Sequence, residues 1–314
     1  MTRTTGWLAA LMMALGLIGC SPEKSREAGK QLQVTTTVTM VTDLVNRVGG
    51  DRVQVKGLMG PGVDPHNYVP KLEDSTSLEK ADVVFYGGLH LEGKMQETLE
   101  AMAKRGRVVV PVTRGIPEGS LLAPQEGFEG TKDPHVWGDS SLWLSTVDPV
   151  VETLSKADPE GAAGYRERGE AYKKELEALN AWSKKRIAEI PADKRVLVTS
   201  HDAFFYFGKG FGFEVRGLQG VSTVAEAGIK DREQLVSFIR GRGIRTLFSE
   251  SSVNAKGISA VAAEAGAQIS KYQLFSDAMG KPGDVEEVNG ESYDQGTYIG
   301  MQKHNINAIV EGLK

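Results

Sequence analysis

From Gln31 onward, short runs of β-branched and apolar residues alternate with segments whose apolar positions recur at helical spacing. "QVTTTV", "VQVKGLM", "ADVVFYGG" and "RVVVPV" have the length and composition of strands, and the stretches between them carry helical periodicity at Leu78 and Ala81 and at Met95, Leu99 and Met102. This βα alternation predicts a mostly parallel sheet covered by helices on both faces. A second set follows Pro191, with "RVLVTS", "FEVRGL", "IRTLFSE" and "AQISKYQLF" separated by "KDREQLVSFIRGRG" and "NAKGISAVAAEAG". The pattern predicts an α/β protein of two βα sandwich lobes, residues 31–157 and 191–314.

One long helical pattern lies between the two sets. Asp158 is placed to cap its start, Pro159 suits the first helical position and Pro191 stops it. Tyr165, Gly169, Tyr172, Leu176, Leu179, Trp182, Ile187 and Ile190 form a stripe near helical periodicity, with Lys and Glu elsewhere. At 1.5 Å per residue, residues 158–190 would reach about 50 Å, enough to run along both lobes. A solvent-exposed helix or a coiled-coil arm is the alternative reading of the same stripe. A rigid helical link restricts hinge closure more than flexible connecting strands do.

The N-terminal stretch "MTRTTGWLAALMMALGLIGC" stands apart, with one positive charge at Arg3 and an apolar run from Trp7 to Ile18. That run is shorter than the roughly 20 residues a membrane-spanning helix needs, and it reads as a secretory signal, residues 1–19. "LIGC", Leu17 to Cys20, resembles a bacterial lipobox, which makes Cys20 the lipid-modified first residue of the mature chain. A lone buried cysteine in an uncleaved anchor is the alternative. Cys20 is the sole cysteine, so no intramolecular disulfide is available and an exported fold must rest on its core. Residues 20–30 then form a polar tether, and removal of residues 1–19 shifts the net charge only from −4 to −5 through loss of Arg3.

Composition narrows the function classes. A hydrophobic fraction of 40% and a charged fraction of 25% describe an ordinary globular protein. A net charge of −4 with lysines and arginines spread along the chain leaves no basic footprint for nucleic acid. The five histidines are more telling, because two occupy the same context: "DPHNYVP" from Asp64 and "DPHVWGD" from Asp133. Proline fixes φ near −65° and biases the preceding residue toward extended geometry, so each histidine leaves a pre-set turn and loses less freedom on binding a metal. Asp64 and Asp133 are placed to accept a hydrogen bond from the loop backbone or from an imidazole N–H.

Position relative to strands singles out the ligand candidates, because open α/β sheets bind at the carboxyl ends of their strands. His66 follows "VQVKGLM", His201 follows "RVLVTS" and Asp277 follows "YQLF" after one serine, while His135 precedes a helical pattern starting near Ser140. His90 and His304 read as packing or surface residues. Trp143 and Trp182 read as core or lobe-interface residues, and Trp137 as a candidate shield for a metal.

"LMGPGVDPH", "YGGLHLEGKM", "DPHVW", "VLVTSHDAFFYFGKGFGFEVRGLQGVST", "LFSDAMG" and "GTYIGMQKHNI" together resemble the TroA-like solute-binding lipoproteins of bacterial ABC importers for zinc and manganese, over essentially the whole mature chain. The resemblance implies two βα lobes joined by a long backbone helix and one metal bound between them. Carried onto this sequence, its ligands are His66, His135, His201 and Asp277, the set already chosen by position. Its implied cargo is Zn2+ or Mn2+, with Fe2+ behind them, and its implied partners are an ABC permease and a membrane reached through the lipid anchor. The chain is expected to be an exported monomer on the extracytoplasmic side of a bacterial membrane. Three imidazoles and one carboxylate suit zinc in near-tetrahedral geometry, and a bidentate Asp277 could expand the set for manganese. Histidine at 201, where some relatives have a carboxylate, tilts toward zinc; the lack of a histidine-rich loop before the second DPH tilts back. Gly138 stands where relatives usually carry a larger residue.

Two competing functions use the same residues. A zinc hydrolase would keep an open position for water and needs a general base, and the chain has no H-E-x-x-H helix. An adhesin or structural metalloprotein could use the fold without transport. The expectation taken forward is a binding protein and not an enzyme.

Overall fold

The computed structural model describes residues 30–123, 128, 132–288 and 290–314. The signal-like segment, Cys20 and the tether through residue 29 lie outside the described residues. In the first lobe, β1 (Leu32–Thr36), α1 (Thr39–Gly49), β2 (Val53–Gly57), α2 (Leu72–Lys80), β3 (Val83–Tyr86), α3 (Gln96–Lys104) and β4 (Val109–Pro111) follow one another along the chain. The strands pair in the order β2-β1-β3-β4, and every pairing is parallel. All four residues of β3 are buried, as a strand covered on both faces requires. Helix α1 supplies part of that cover by burying Met40, Val41, Leu44, Val45 and Val48, which share one helical face.

Two further helices, α4 (Ser140–Trp143) and α5 (Val147–Ala157), lead to the long helix α6 (Ala162–Ile187). The second lobe then runs β5 (Val196–His201), α7 (Phe205–Phe211), β6 (Glu214–Gln219), α8 (Ile229–Arg242), β7 (Thr246–Leu247), α9 (Lys256–Ala265) and β8 (Gln268–Ile269). Strand β5 pairs in parallel with β6, and β7 with β8. The Phe248 N–H donates to the Val198 carbonyl at 2.9 Å, and a parallel bridge joins Glu250 to Leu274, so the chain after β7 lies beside β5. The antiparallel hairpin β9 (Val285–Val288) and β10 (Glu291–Asp294) precedes the terminal helix α10 (Tyr298–Leu313). This hairpin was not expected from the sequence, because "VEEV" and "ESYD" lack an apolar run and only backbone pairing marks them as strands.

Helix α6 connects the cores. Tyr165, Tyr172, Leu176 and Leu179 pack into the first-lobe core, whereas Ile187 belongs to a core of the second lobe and Trp182 packs against both. The stripe therefore meets this molecule's own interior, which removes the coiled-coil alternative. Its 26 residues span about 39 Å at 1.5 Å per residue, shorter than the sequence pattern suggested, because the ends are 3₁₀ turns and loop.

Two details differ from expectation. Asp158 does not cap the helix; its carboxylate instead accepts from Arg52 through two contacts of 2.7 Å and from the Tyr165 hydroxyl at 2.6 Å. A charged, bidentate partner outcompetes a backbone N–H for those oxygens. Toward the C-terminal end Ser183 and Arg186 are buried while Trp182 is only half-buried. The Arg186 guanidinium is satisfied there by Asn307 at 2.9 Å, Glu189 at 2.5 Å and Glu311 at 3.0 Å. Helix α10 also bridges the lobes, placing Tyr298 and Met301 in the first core and Ile306, Ile309 and Val310 in the second. Among the described residues, no helix is long and apolar enough to cross a membrane.

Candidate metal centre

Each of the two Asp-Pro-His segments folds into the same small turn. In the first, Asp64 Oδ1 accepts the backbone N–H of His66 at 2.9 Å, and in the second, Asp133 Oδ1 accepts that of His135 at 2.9 Å. Proline between them carries no N–H to compete and holds the aspartate extended, so the carboxylate reaches across to the histidine backbone. The segments differ at the ring. The Nδ1–H of His135 also donates to Asp133 Oδ1 at 2.8 Å, which turns Nε2 toward the cluster as the nitrogen available to a metal, whereas Asp64 bonds the backbone and not the His66 imidazole. Gly93 lies against the first turn: a Cβ there would come 2.9 Å from the His66 carbonyl oxygen, so glycine allows that close approach.

His201 is the last residue of β5 and is fully buried. Its backbone N–H donates to Glu250 Oε1 at 2.9 Å and its Nδ1–H to Glu250 Oε2 at 2.5 Å. Asp277 follows the Leu274 bridge and is fully buried, with Ser252 Oγ 3.4 Å from its Oδ2.

These loops and strand ends bring four side chains together. One ligand atom from each of His66, His135, His201 and Asp277 lies within 4.8 Å of all the others. His66 Nε2 is 3.3 Å from His135 Nε2, His135 Nε2 is 3.3 Å from Asp277 Oδ1, and His201 Nε2 is 3.3 Å from Asp277 Oδ2. Donors placed about 2.0–2.1 Å from one ion in tetrahedral array are separated by roughly 3.3–3.4 Å, so these spacings suit a shared metal. Both Asp277 oxygens face imidazole nitrogens, which permits either one-oxygen or two-oxygen ligation. Among the described residues, His201 Nε2 and Asp277 Oδ1 are buried without a hydrogen bond, a costly state that a bound cation relieves.

Proton affinities follow from the same geometry. Burial pushes His66 down to about 3, and the charges of His135 and His201 reinforce this while Asp277 only partly opposes it. Burial also opposes charge on His135, but Asp133 and Asp277 outweigh it and raise the imidazole to about 9. His201 is likewise raised well above the usual histidine value, by Asp277 and Glu250 against the cost of burial. Asp277, which burial alone would raise, is held well below the usual carboxylate value by His201 and His135. Without metal, the centre stores positive charge on imidazoles around a carboxylate; a divalent cation can take the place of those protons.

The remaining candidates separate clearly. Trp137 packs edge-on against His135 with ring centroids 5.3 Å apart, and its Nε1–H donates to the Ser276 carbonyl at 2.7 Å, tying the His135 segment to the Asp277 segment. Trp143 is core and stacks on Tyr298. A Cβ at Gly138 would lie 3.3 Å from the Phe207 nitrogen, so a larger residue requires a slight shift of α7. His90 is outside the four-donor cluster and stands edge-on to Phe128 at 6.1 Å. His304 is buried and held by Glu286 at 2.5 Å and the Gln273 carbonyl at 2.8 Å. Glu250 is the functional residue that sequence reading missed. It lies 49 positions from His201, and only strand placement brings them together.

A model of the family described as zinc-uptake complex component A, periplasmic, matches residues 34–312. The chain belongs to the zinc-uptake component A family. Among its relatives, the "Manganese-binding lipoprotein MntA" of Bacillus subtilis is 44% identical over 315 residues, covering 98% of this chain and 99% of that protein. The "Zinc-binding protein TroA" of Treponema pallidum is 40% identical over 315 residues, covering 99% of this chain and 98% of its own. The solved structure of the periplasmic zinc-binding TroA from Treponema pallidum superposes with a TM-score of 0.83 at 42% identity, covering 91% of this chain and 99% of that one. Membership of the zinc-uptake component A family agrees with the two-lobe fold and with the buried His3Asp cluster.

Proposed function

We propose that this protein captures one divalent transition metal ion, zinc or manganese, through His66, His135, His201 and Asp277 and delivers it to an ABC permease. The observation that carries the reading is the convergence of four buried donors, two of them with atoms that have no hydrogen bond among the described residues, where elements of both lobes meet. The relatives named for manganese and zinc binding support the cargo class. Drawing ligands from both lobes also suits release, because a small lobe displacement separates the set. Cys20 is the proposed site of lipid attachment, anchoring a monomer outside the cytoplasmic membrane with residues 20–30 as tether, 31–157 and 191–314 as lobes and 158–190 as the link.

The donor set also weighs against hydrolysis. Catalytic zinc keeps a position open for water, whereas here three imidazoles and a carboxylate with both oxygens turned inward offer a full tetrahedral set of ligands. The test is metal content by elemental analysis of the wild type and of His66→Ala and His135→Ala, together with metal-specific uptake in a deletion strain. One ion per wild-type chain, loss in both variants with the far-ultraviolet dichroism unchanged, and uptake that depends on the gene are expected. Full retention of metal by both variants would overturn the ligand assignment.

A further inference from the structure

The turn that carries His66 is joined to the second lobe by side chains outside the ligand set. Asp64 divides its carboxylate: Oδ1 accepts the His66 backbone N–H at 2.9 Å, while Oδ2 accepts the Thr223 hydroxyl at 2.6 Å and Asn67 Nδ2 at 3.0 Å. Asn67 Nδ2 also lies 3.0 Å from Thr223 Oγ1. Thr223 comes from the segment between β6 and α8, where it is buried although Val224, Ala225 and Glu226 beside it are exposed. A hydroxyl from one lobe thus closes a three-residue network around the ligand turn of the other.

His66 needs this support more than its companions do. His135 and His201 are held at Nδ1 by Asp133 and Glu250, whereas His66 is held through its backbone N–H by Asp64. Other links near the site, Trp137 to the Ser276 carbonyl and Met279 N–H to Thr39, use backbone partners close to Asp277. The Asp64, Asn67 and Thr223 network joins the lobes through side chains alone, so it can open without rearranging either backbone. We propose that Thr223 is a positioning residue, a latch that holds the His66 turn against the second lobe and sets how long the captured ion stays. The proposal rests on the four-ligand reading above. A hydrogen bond to a charged acceptor is strong enough that its loss should speed metal release by about tenfold, with association little changed.

The test uses the full chain loaded with Zn2+ or Mn2+ and mixed rapidly with excess chelator, with metal content measured in parallel. T223V is expected to retain one ion per chain with unchanged far-ultraviolet dichroism, yet to release the ion about tenfold faster. T223S, which keeps the hydroxyl, should release at the wild-type rate. Release from T223V at the wild-type rate overturns the latch, as does T223S releasing as fast as T223V, since that would assign the effect to the methyl group. Should T223V not fold, T223A carries the same expectation. Failure of the wild type to bind one ion sinks the ligand reading instead, so the two failures are distinguishable.

Discussion

Aspartates 64 and 133 occupy the same sequence context and do different work. Both accept their histidine's backbone N–H, but only Asp133 also fixes a ring, and Glu250 fixes the third imidazole. Partners that orient a ligating ring typically change metal affinity by about 10- to 100-fold when removed, so Glu250→Gln and Asp133→Asn should weaken binding by that order while leaving one site per chain. Competition with a calibrated chelator checks this; affinities within twofold of the wild type would show that the ring contacts do not support ligation. A second expectation concerns protons. His135 is raised to about 9 and His201 well above the usual value in the metal-free centre, so an ion binding near neutral pH must displace at least one proton. Calorimetry in buffers of different ionisation enthalpy should report that release, and affinity should rise with pH through this window. The sign for folding is opposite. A base raised in the native state stabilises fully below its unfolded value of about 6.5 and loses that contribution as pH rises, so the stability His135 gives the metal-free protein fades between about 6.5 and 9.

At the scale of elements, strands were easier to read than their partners. Buried parallel strand β3 is a continuous apolar run and β5 begins with one, Val196 to Val198, which the chain displays openly. Hairpin β9–β10 was missed because its residues are polar and its pairing lies in the backbone. Helix α6 was visible as a stripe, but the stripe fails at its end, where Arg186 enters the interior with Asn307 and Glu311 as partners. Leu176 sits at the reliable part of that stripe and is fully buried, so Leu176→Ala should cost about 2–5 kcal/mol in a denaturant titration. A cost below the lower figure would place the helix's anchoring elsewhere. The loop after β3 has a comparable anchor. Leu89 and His90 adopt positive φ, 55° and 68°, and buried Glu92 holds the adjoining backbone by accepting from Gly87 N–H at 2.6 Å, Gly88 N–H at 3.2 Å and Thr37 at 2.7 Å. Burial raises the Glu92 carboxyl despite those donors. Glu92→Ala strands several buried donors at once and should destabilise the first lobe by about 2 kcal/mol or more, read from the same titration.

For the whole molecule, two helices crossing both cores argue against a wide hinge. Helices α6 and α10 each place residues in the first and second cores, so the lobes are braced and release has to come from loop and local lobe displacement. X-ray scattering of metal-free and loaded protein should therefore nearly superimpose, and a large expansion on chelation would contradict the bracing. Metal binds the native state and stabilises it by mass action, so chelation should still lower the melting temperature, and an unchanged value would be incompatible with the buried centre as a metal site. The sequence by itself determined the βα alternation, the long link and the four candidate ligands, because apolar periodicity, proline turns and positions beyond strand ends are local properties written along the chain. Tertiary structure alone decided that Glu250 orients His201, that Thr223 reaches Asp64, and that Arg52 draws Asp158 away from a helix end. Those choices depend on which polar groups folding leaves buried within hydrogen-bond reach of one another, and residues separated by 49, 159 and 106 positions carry no local sign of such a meeting.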